Sequence, residues 1–355
     1  MDTNDNKKKT TKYKLLDYNH ESKKSLIAYF DILGYKEMIK TSYIPENILI
    51  GEIERITQDV YNTKRFSKKG KSNWNVYSFS DNFAIVIDCP DAGFISELRQ
   101  LIWILTIIQC QFLSLYGILI RGSVVNGMVY MGEKFIYGEG LIKAYEIENS
   151  IAIFPRIVID SELVNDCLQD IKSIFQKPVS LYGQIYNPES INEYNMLQLF
   201  PRLVFGLVYD SGKIDSKEID KWLSEEKDDD LIVICKDFDN EYYVDFFRYF
   251  MFLDRYPQDF DDEESANIEE SIVDLYVQGF VFYISRYIST FGMDNKMLKK
   301  YLWICSKANI VLNKVGYHNL FCKSNIFELC KLNLSNIYAD DNILKMLIQE
   351  IPDGE

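Results

Sequence analysis

Histidine is almost absent from this sequence. Only two of the 355 residues are histidine, His20 and His318. A zinc centre held by histidines and a Ser-His-Asp triad both depend on imidazole side chains, so this scarcity argues against either site. Oxygen-ligated Mg²⁺ or Mn²⁺ is the kind of metal that the composition favours.

Paired cysteines are also missing. The seven cysteines include no CxxC pair, and most lie in apolar runs such as Ile232 to Cys235. Buried thiols of this kind behave as small apolar side chains of a protein core. The start of the chain, Met1 to Lys9, has no apolar segment and does not form a signal peptide. We therefore expect reduced cysteines and a cytoplasmic protein.

Positive charge is in deficit, since the net charge is −14 at pH 7. Nucleic-acid binding uses surplus Lys and Arg, so we expect no nucleic-acid partner. One run, residues 101–120, contains no charged residue and is long enough to cross a bilayer. It carries Thr106, Gln109 and Gln111, however, and Arg121 follows it directly. We predict a buried helix that continues into a strand, and no membrane partner.

The first part of the chain alternates strand-like and helix-like segments. At 47% apolar residues, the chain can bury one large core or two ordinary ones. The predicted order is strand, helix, strand, strand, helix, strand, which is the βαββαβ ferredoxin-like arrangement of an α+β protein and of palm-type nucleotidyl-transferring domains. The predicted segments are 26–31, about 35–64, 74–79, 83–88, about 92–115 and 118–125.

The remainder of the chain is less regular. We predict a second hairpin at 123–135, a helix at 141–148, a strand at 154–159 and a last hairpin at 231–247. Apolar residues at helical spacing predict a C-terminal helical extension. The predicted organisation is a mobile arm at 1–24, one domain at 25–250 with an insertion at about 161–230, and the helical extension at 265–355.

Two aspartates occupy positions suited to metal binding. Asp31 ends the apolar strand 26–30, and Gly34 then frees the backbone before a helix-forming segment, where backbone N–H groups can hold an anion. Asp81 lies in the polar turn of the hairpin that follows. If the strands are neighbours, both carboxylates can share metal ions about 3.5 to 4 Å apart. Alternatively, Asp31 caps a helix and Asp81 fills a turn, which are common roles of aspartate.

The surroundings of both aspartates resemble the class III nucleotidyl cyclases. The run 30–35, Phe-Asp-Ile-Leu-Gly-Tyr, is similar to the family's F-x-D-I-x-G-F signature, and Ser80-Asp81 stands where the family has Gly-Asp. The run 121–127, Arg-Gly-Ser-Val-Val-Asn-Gly, resembles the R-x-G-I-x-x-G strand, and 138–146 lies where the family has G-x-x-V-N-x-A-x-R. The resemblance covers residues 25–160 and extends to residue 250 with the closing hairpin.

This resemblance implies a two-metal cyclase that works as a homodimer, because the family builds its site between two catalytic domains. Two Mg²⁺ or Mn²⁺ ions would be held by Asp31, Asp81 and the backbone carbonyl of Ile32. Backbone N–H groups at the helix start, in the segment with Gly34, Tyr35 and Lys36, would hold the β and γ phosphates. The reaction would be an in-line attack of the ribose 3′ oxygen on the α-phosphorus, with pyrophosphate leaving.

One departure from the family pattern concerns the base. Purine-using cyclases have a Lys four residues before the second aspartate, where this chain has Tyr77. An aromatic hydroxyl there resembles the pyrimidine cyclases of bacterial antiphage signalling, the Pycsar systems. That resemblance implies UTP or CTP as substrate, cyclic UMP or cyclic CMP as product, and a separate effector protein that responds to the product. Alternatively, Tyr77 is a strand aromatic that packs on a neighbour.

A second departure concerns the transition state. The family's Asn and Arg fall on Ile142 and Glu146, and neither side chain can stabilise a pentacovalent phosphate. Another cation must then supply that charge, and Arg121, Arg156 and Lys36 are the candidates. Two other functions stay open. One is a catalytically inactive cyclase-like domain that binds a nucleotide or a partner, and the other is a palm enzyme that makes cyclic dinucleotides.

Overall fold

The computed structural model describes the greater part of the chain. It covers residues 21–36, 39, 45–63, 73–88, 94–132, 135–174, 179–181, 184–186, 234–250, 263–291, 295–318, 321, 342–351 and 353. Most of the predicted arm and most of the predicted insertion lie outside these residues.

All six elements of the predicted βαββαβ unit are present, followed by further strands and then by helices. The unit comprises β1 (Lys23–Leu33), α1 (Glu46–Thr63), β2 (Asn73–Phe79), β3 (Asn82–Asp88), α2 (Phe94–Tyr116) and β4 (Leu119–Met131). The later elements are β5 (Ile136–Tyr137), α3 (Glu139–Ser150), β6 (Ile157–Ile159), α4 (Ser161–Ile174), β7 (Val179–Leu181), β8 (Gln184–Tyr186), β9 (Ile234–Lys236), β10 (Tyr242–Val244), α5 (Glu263–Phe291), α6 (Asn295–Leu312) and α7 (Asn342–Glu350).

The main sheet has the strand order β2-β3-β1-β4-β6-β10-β9, and β5 pairs with β4. Its first four strands are antiparallel, in the order of a ferredoxin-like unit. β6 adds in parallel to β4, and the β9–β10 hairpin extends the sheet beyond β6. The α+β fold and the closing hairpin are therefore as predicted. β7 and β8 form a separate two-stranded sheet within the predicted insertion.

β4 differs from the prediction, which ended a strand at residue 125 and began a hairpin at 123. It is one strand through Met131 and pairs with β1 from Leu119 to Val129. A hairpin does form, but later than predicted, where β4 pairs with β5. Gly122 and Gly127, inside β4, serve close packing rather than turns. A side chain on Gly127 would lie 2.6 Å from the Cα of Gly140, so glycine at this point lets α3 pack directly on β4.

Helices cover both faces of the sheet. α1 and α2 pack on one face, where Leu105 shares a core with Phe30. α3 covers the other face, where Ala144 shares a core with Ile27. Side chains alternate along a strand, so the odd-numbered residues of β1 point toward α3. Asp31 therefore lies on the same face of the sheet as α3.

The predicted helical extension shares an apolar core with the sheet domain. Phe280 of α5 packs edge-on against Phe247, just after β10, with ring centroids 5.8 Å apart. The hydroxyl of Tyr283 donates to the carbonyl of Leu115 at 3.1 Å, and the hydroxyl of Tyr287 donates to the carbonyl of Gly117. Carbonyls at the end of a helix lack partners within it, so these two tyrosines cap the C-terminal end of α2.

The uncharged run of the sequence is a core helix that leads into a strand, as predicted. Its window Glu97–Tyr116 is long and apolar enough to cross a membrane, with a mean hydropathy of 1.4. In this structure 67% of that window is buried inside the protein. The buried helix α2 ends at Tyr116 and strand β4 begins three residues later.

Backbone strain at Ser80 gives a first testable prediction. Ser80, at the tip of the β2–β3 hairpin, has a φ of +64°, a conformation that costs a residue with a Cβ about 1 kcal/mol relative to glycine. We expect Ser80→Gly to raise the free energy of unfolding by about 1 kcal/mol in urea denaturation. Ser78→Gly, in the regular part of β2, should lower it by about 0.5 to 1 kcal/mol. Equal effects of the two substitutions would contradict strain at Ser80.

Candidate functional site

The β2–β3 hairpin and β1 bring the two predicted aspartates together. Asp31 is the register partner of Asn82 in the antiparallel pair β1–β3. The amide N–H of Ile32 donates to the carbonyl of Asp81 at 3.1 Å. Both aspartates are half-buried. The condition set by the sequence, that the two strands be neighbours, is met.

Arg121 lies directly beside Asp31. The two residues are register partners in β1 and β4, and partners in a sheet project to the same face. The Nε and Nη2 atoms of Arg121 donate to the two carboxylate oxygens of Asp31 at 3.0 and 3.1 Å. Such a two-point contact fixes the plane of the guanidinium as well as its position. Of the predicted catalytic arginines, Arg121 therefore belongs to this site.

Glu148 completes the surroundings of Arg121, and sequence reasoning missed it. It lies on α3, only 3% exposed, with Oε1 2.8 Å from Nη2 of Arg121. Burial raises the pKa of the Glu148 carboxyl to about 7, with Asp31 and Asp81 acting in the same direction and Arg121 opposing them. The available signal was helical spacing, since Glu148 is four residues after the buried Ala144 and falls on the same helix face.

Tyr29 and Asn82 form a second unpredicted part of the site. The hydroxyl of Tyr29 donates to Oδ1 of Asn82 at 2.7 Å, and Nδ2 of Asn82 donates to Oδ1 of Asp81 at 3.2 Å. Burial raises the pKa of Tyr29 to about 12, with the charges of Glu148 and then Asp31 adding to the effect. The ring of Tyr29 also meets Tyr145 edge-on at 6.0 Å.

Tyr77, predicted to contact the base, is on the same face of the sheet as Asp31. It is 6% exposed and belongs to the core under α3. Its hydroxyl donates to the carbonyl of Gly132 at 2.7 Å. The ring of Tyr77 therefore packs in the core, which was the alternative role considered from the sequence. The role of Tyr77 in base selection stays a prediction.

The segment after Asp31 has the backbone freedom that the sequence predicted. Gly34 has a φ of +76°, in the left-handed region that glycine adopts without strain. Tyr35 is half-buried against the core of α1 and α2, and Lys36 is exposed. The side chain of Ile32 is buried, so any part it takes in ligand binding is through its backbone. Phosphate binding by Gly34, Tyr35 and Lys36 stays a prediction.

Arg156, the other predicted catalytic arginine, belongs to a separate cluster. Its side chain is fully buried and pairs with Asp237 and Asp239 in the turn between β9 and β10. Asp237 also accepts a hydrogen bond from the indole of Trp303 at 2.6 Å and pairs with Lys307 at 2.9 Å. The structure therefore places Arg156 where α6 meets the sheet, and does not bring its guanidinium to the two aspartates.

The two positions that depart from the cyclase pattern lie on the outer side of α3. Ile142 is 57% exposed, and Glu146 is exposed as well. Neither turns toward Asp31, whereas Glu148 does. Among the residues that the structure describes, Arg121 is the positive side chain that pairs with Asp31.

The donors at this site suit a hard divalent cation. Asp31 and Asp81 offer carboxylate oxygens, the ligand type that Mg²⁺ and Mn²⁺ prefer. Within the described ranges, no group of three or more Asp, Glu, His or Cys side chains is arranged to hold a metal ion. The two aspartates would therefore share a cation with backbone or substrate oxygens. Asp31 can bind a cation only if Arg121 releases one of its two hydrogen bonds to that carboxylate. Glu148 is a second carboxylate with which the guanidinium remains paired.

Comparisons with known proteins find structural likeness only. No family model and no curated protein matches this chain. Among solved structures, it is similar to the catalytic core of a rhodopsin-guanylyl cyclase with converted specificity in complex with ATPαS, at 16% identity over 46% of this chain and 87% of that one, with a TM-score of 0.30.

Two further structures show the same level of likeness. The monomeric guanylyl cyclase domain of a fusion protein from the aquatic fungus Blastocladiella emersonii is 18% identical over 45% of this chain and 92% of its own, with a TM-score of 0.30. A bacterial light-regulated adenylyl cyclase is 12% identical over 53% of this chain and 60% of its own, also at 0.30. Likenesses this distant do not transfer an activity.

The raised pKa of Glu148 gives the second prediction. The folded protein holds the Glu148 proton more tightly than the unfolded chain, so its contribution to stability is complete below about pH 4.5 and is lost as the pH rises to about 7. In urea denaturation across this range, we expect wild type to lose more stability than Glu148→Gln. Glu146→Gln, exposed on the same helix, should follow wild type. Parallel curves for wild type and Glu148→Gln would contradict the assignment.

Proposed function

We propose that this chain is a nucleotidyl cyclase that converts UTP or CTP into the 3′,5′-cyclic monophosphate and pyrophosphate. The observation that carries the proposal is the meeting of Asp31, Asp81 and Arg121 at one edge of a ferredoxin-like sheet. Two carboxylates and a fixed arginine are what transfer of a phosphoryl group requires, because its barrier is lowered mainly by positioning and by charge.

The aspartates account for the metal requirement. Asp31 and Asp81 would hold Mg²⁺ or Mn²⁺, which when bound neutralises triphosphate charge and lowers the pKa of the ribose hydroxyl. The 3′ oxygen forms a bond to the α-phosphorus, the bond from that phosphorus to the pyrophosphate oxygen breaks, and the hydroxyl proton passes to solvent. This chemistry does not call for a histidine base, in keeping with the near absence of histidine from the chain.

Arg121 is the group that we propose stabilises charge on the transferring phosphoryl. It is half-buried, where a fixed charge acts more strongly than it does in water. Glu148 holds its Nη2 from the side away from solvent. Arg121 therefore keeps one carboxylate partner when it turns from Asp31 toward a phosphate.

Tyr77 supports a pyrimidine substrate. It lies two residues before Phe79 at the end of β2, on the same face as Asp31, with a hydroxyl that can donate or accept. Uracil and cytosine differ only in the placement of donors and acceptors on the base edge, so UTP and CTP both fit the proposal.

A second copy of the chain is the proposed partner. α3 exposes Ile142 and Tyr145 one turn apart, and Phe79 at the end of β2 is 49% exposed. Large apolar side chains gathered on one face of a sheet are typical of a contact surface. The proposal also includes the cytoplasm as the location, antiphage signalling as the context, and a separate effector protein that responds to the product.

The second candidate is a cyclase-like protein without turnover that binds a nucleotide. Ile142 and Glu146 favour it, because they replace the family's transition-state donors. Retention of both aspartates with a paired arginine favours activity. A product containing two bases would instead indicate a cyclic-dinucleotide enzyme.

The third prediction tests the reaction itself. The purified protein is incubated with UTP, CTP, ATP and GTP separately, with Mn²⁺, and products are identified by mass spectrometry. We expect one cyclic pyrimidine monophosphate, and a loss of at least about a hundredfold in rate for Asp31→Ala and Asp81→Ala, since each removes a metal ligand. Wild-type rates in either folded variant would overturn the metal assignment. Binding of a nucleotide without product would favour the inactive protein.

The fourth prediction tests base selection. Tyr77→Phe keeps the buried ring and removes the hydroxyl that donates to Gly132. If that hydroxyl reads the base edge, the preference for pyrimidine over purine triphosphates in kcat/KM should fall about tenfold. Tyr137→Phe, a tyrosine 73% exposed on β5, is the control and should leave the preference unchanged. The same preference in Tyr77→Phe as in wild type would remove this hydroxyl from base selection.

A further inference from the structure

We propose that Asn82 and Tyr29 are positioning residues for Asp81, which they hold in the orientation that binds a cation. The inference rests on the proposed function, since it concerns Asp81 as a metal ligand. Tyr29 acts through Asn82, and Asn82 acts on Asp81, in a short hydrogen-bond relay. Neither Tyr29 nor Asn82 was predicted from the sequence.

The relay runs along the face of the sheet that carries Asp31. Tyr29 and Asp31 are two residues apart on β1 and so point the same way. Asn82, the register partner of Asp31 on β3, projects to that face as well. From there it reaches Tyr29 on one side at 2.7 Å and Asp81 on the other at 3.2 Å.

The chemistry of the three groups fixes the direction of the relay. An ionised carboxylate only accepts hydrogen bonds, so the Asn82 amide must turn its NH₂ group toward Asp81. Its carbonyl oxygen then faces Tyr29, whose hydroxyl must donate. The opposite amide orientation would place the Asn82 oxygen against the Asp81 oxygen, where the two would repel each other. Asp81 thus sets the amide orientation of Asn82, and the Tyr29 hydroxyl holds the amide in place by donating to its oxygen.

Asp81 needs such support because of where it lies. It follows Ser80 at the tip of a hairpin and is half-buried, so packing alone does not fix its side chain. Its main chain is held by the bond from Ile32 at 3.1 Å. A carboxylate can accept about four hydrogen bonds, so one bond from Asn82 sets its direction and leaves capacity for a cation.

The two aspartates are consequently held in different ways. Asp31 is held by the positive charge of Arg121, which competes with any cation. Asp81 is held by a neutral amide, which does not. Asp81 is therefore the carboxylate that is available to a divalent cation first, and its orientation governs the affinity of the site.

The fifth prediction measures cation binding directly, by electron paramagnetic resonance of free Mn²⁺ titrated with the full chain without nucleotide. We expect Asn82→Ala to weaken Mn²⁺ binding about tenfold, the usual effect of removing a partner of a metal ligand. Tyr29→Phe, which keeps the ring and its packing, should weaken binding about threefold, as for one neutral hydrogen bond. In turnover assays both variants should need more Mn²⁺ for half-maximal rate, yet reach the wild-type kcat at saturating Mn²⁺.

Two controls separate this inference from the proposed function. Asn126→Ala removes another asparagine that donates to a carboxylate, Asp166, at 3.3 Å, and should leave Mn²⁺ binding unchanged. Asp81→Ala should abolish the tight site. If Asp81→Ala binds Mn²⁺ like wild type, the metal assignment fails and the relay fails with it. If Asp81→Ala loses the site while Tyr29→Phe and folded Asn82→Ala bind like wild type, the relay alone is wrong.

Discussion

The ion pair between Asp31 and Arg121 is the interaction on which the site depends. It joins β1 and β4, which pair from Lys23 to Leu33 along the centre of the sheet. Without the guanidinium, Asp31, Asp81 and Glu148 would be like charges in a partly desolvated place, with no positive side chain to reduce their repulsion. Arg121 is therefore what allows three carboxylates to share one edge of the sheet. On the proposed function, a divalent cation held by Asp31 and Asp81 would reduce the same repulsion.

The C-terminal helices stabilise the strand that carries this pair. The amide of Gly122, next to Arg121, donates to the carbonyl of Arg156 at 3.1 Å. The guanidinium of Arg156 pairs with Asp237, and both side chains are fully buried. Burial alone raises the pKa of Asp237, but Lys307 and Arg156 together outweigh it and lower the pKa. A buried ion pair needs further hydrogen bonds to offset its desolvation, and Trp303 and Lys307 on α6 supply them to Asp237. This gives Arg156 a structural role, whereas Arg121 pairs with Asp31.

Local patterns in the sequence predicted the sheet and its two aspartates. Contacts between residues that are distant in the sequence could not be predicted from such patterns. The apolar strand before Asp31, the hairpin turn at Asp81 and the uncharged α2 are all patterns within a few residues. The predicted end of β4 at residue 125 was wrong because the strand continues through its pairing with β1, which is distant in the sequence. The close approach of Gly140 to Gly127 likewise exists only in the folded chain. Asn82 was missed because its role depends on Tyr29, 53 positions away.

If the proposed function is correct, α3 contributes to catalysis through Glu148, which orients Arg121. In the class III pattern this helix supplies an Asn and an Arg, whereas here those positions are Ile142 and Glu146 on the solvent side. The helix instead directs Glu148 inward to hold Arg121, which comes from a strand. A charge that stabilises a transition state must be oriented beforehand. Arg121 is oriented by the carboxylates of Asp31 and Glu148, although it lies on β4 and not on α3. Replacement of the helix residues, although it favours the candidate without turnover, is therefore compatible with activity. It also leaves the outer side of α3 with apolar residues such as Ile142, which a second copy can cover without burying the arginine.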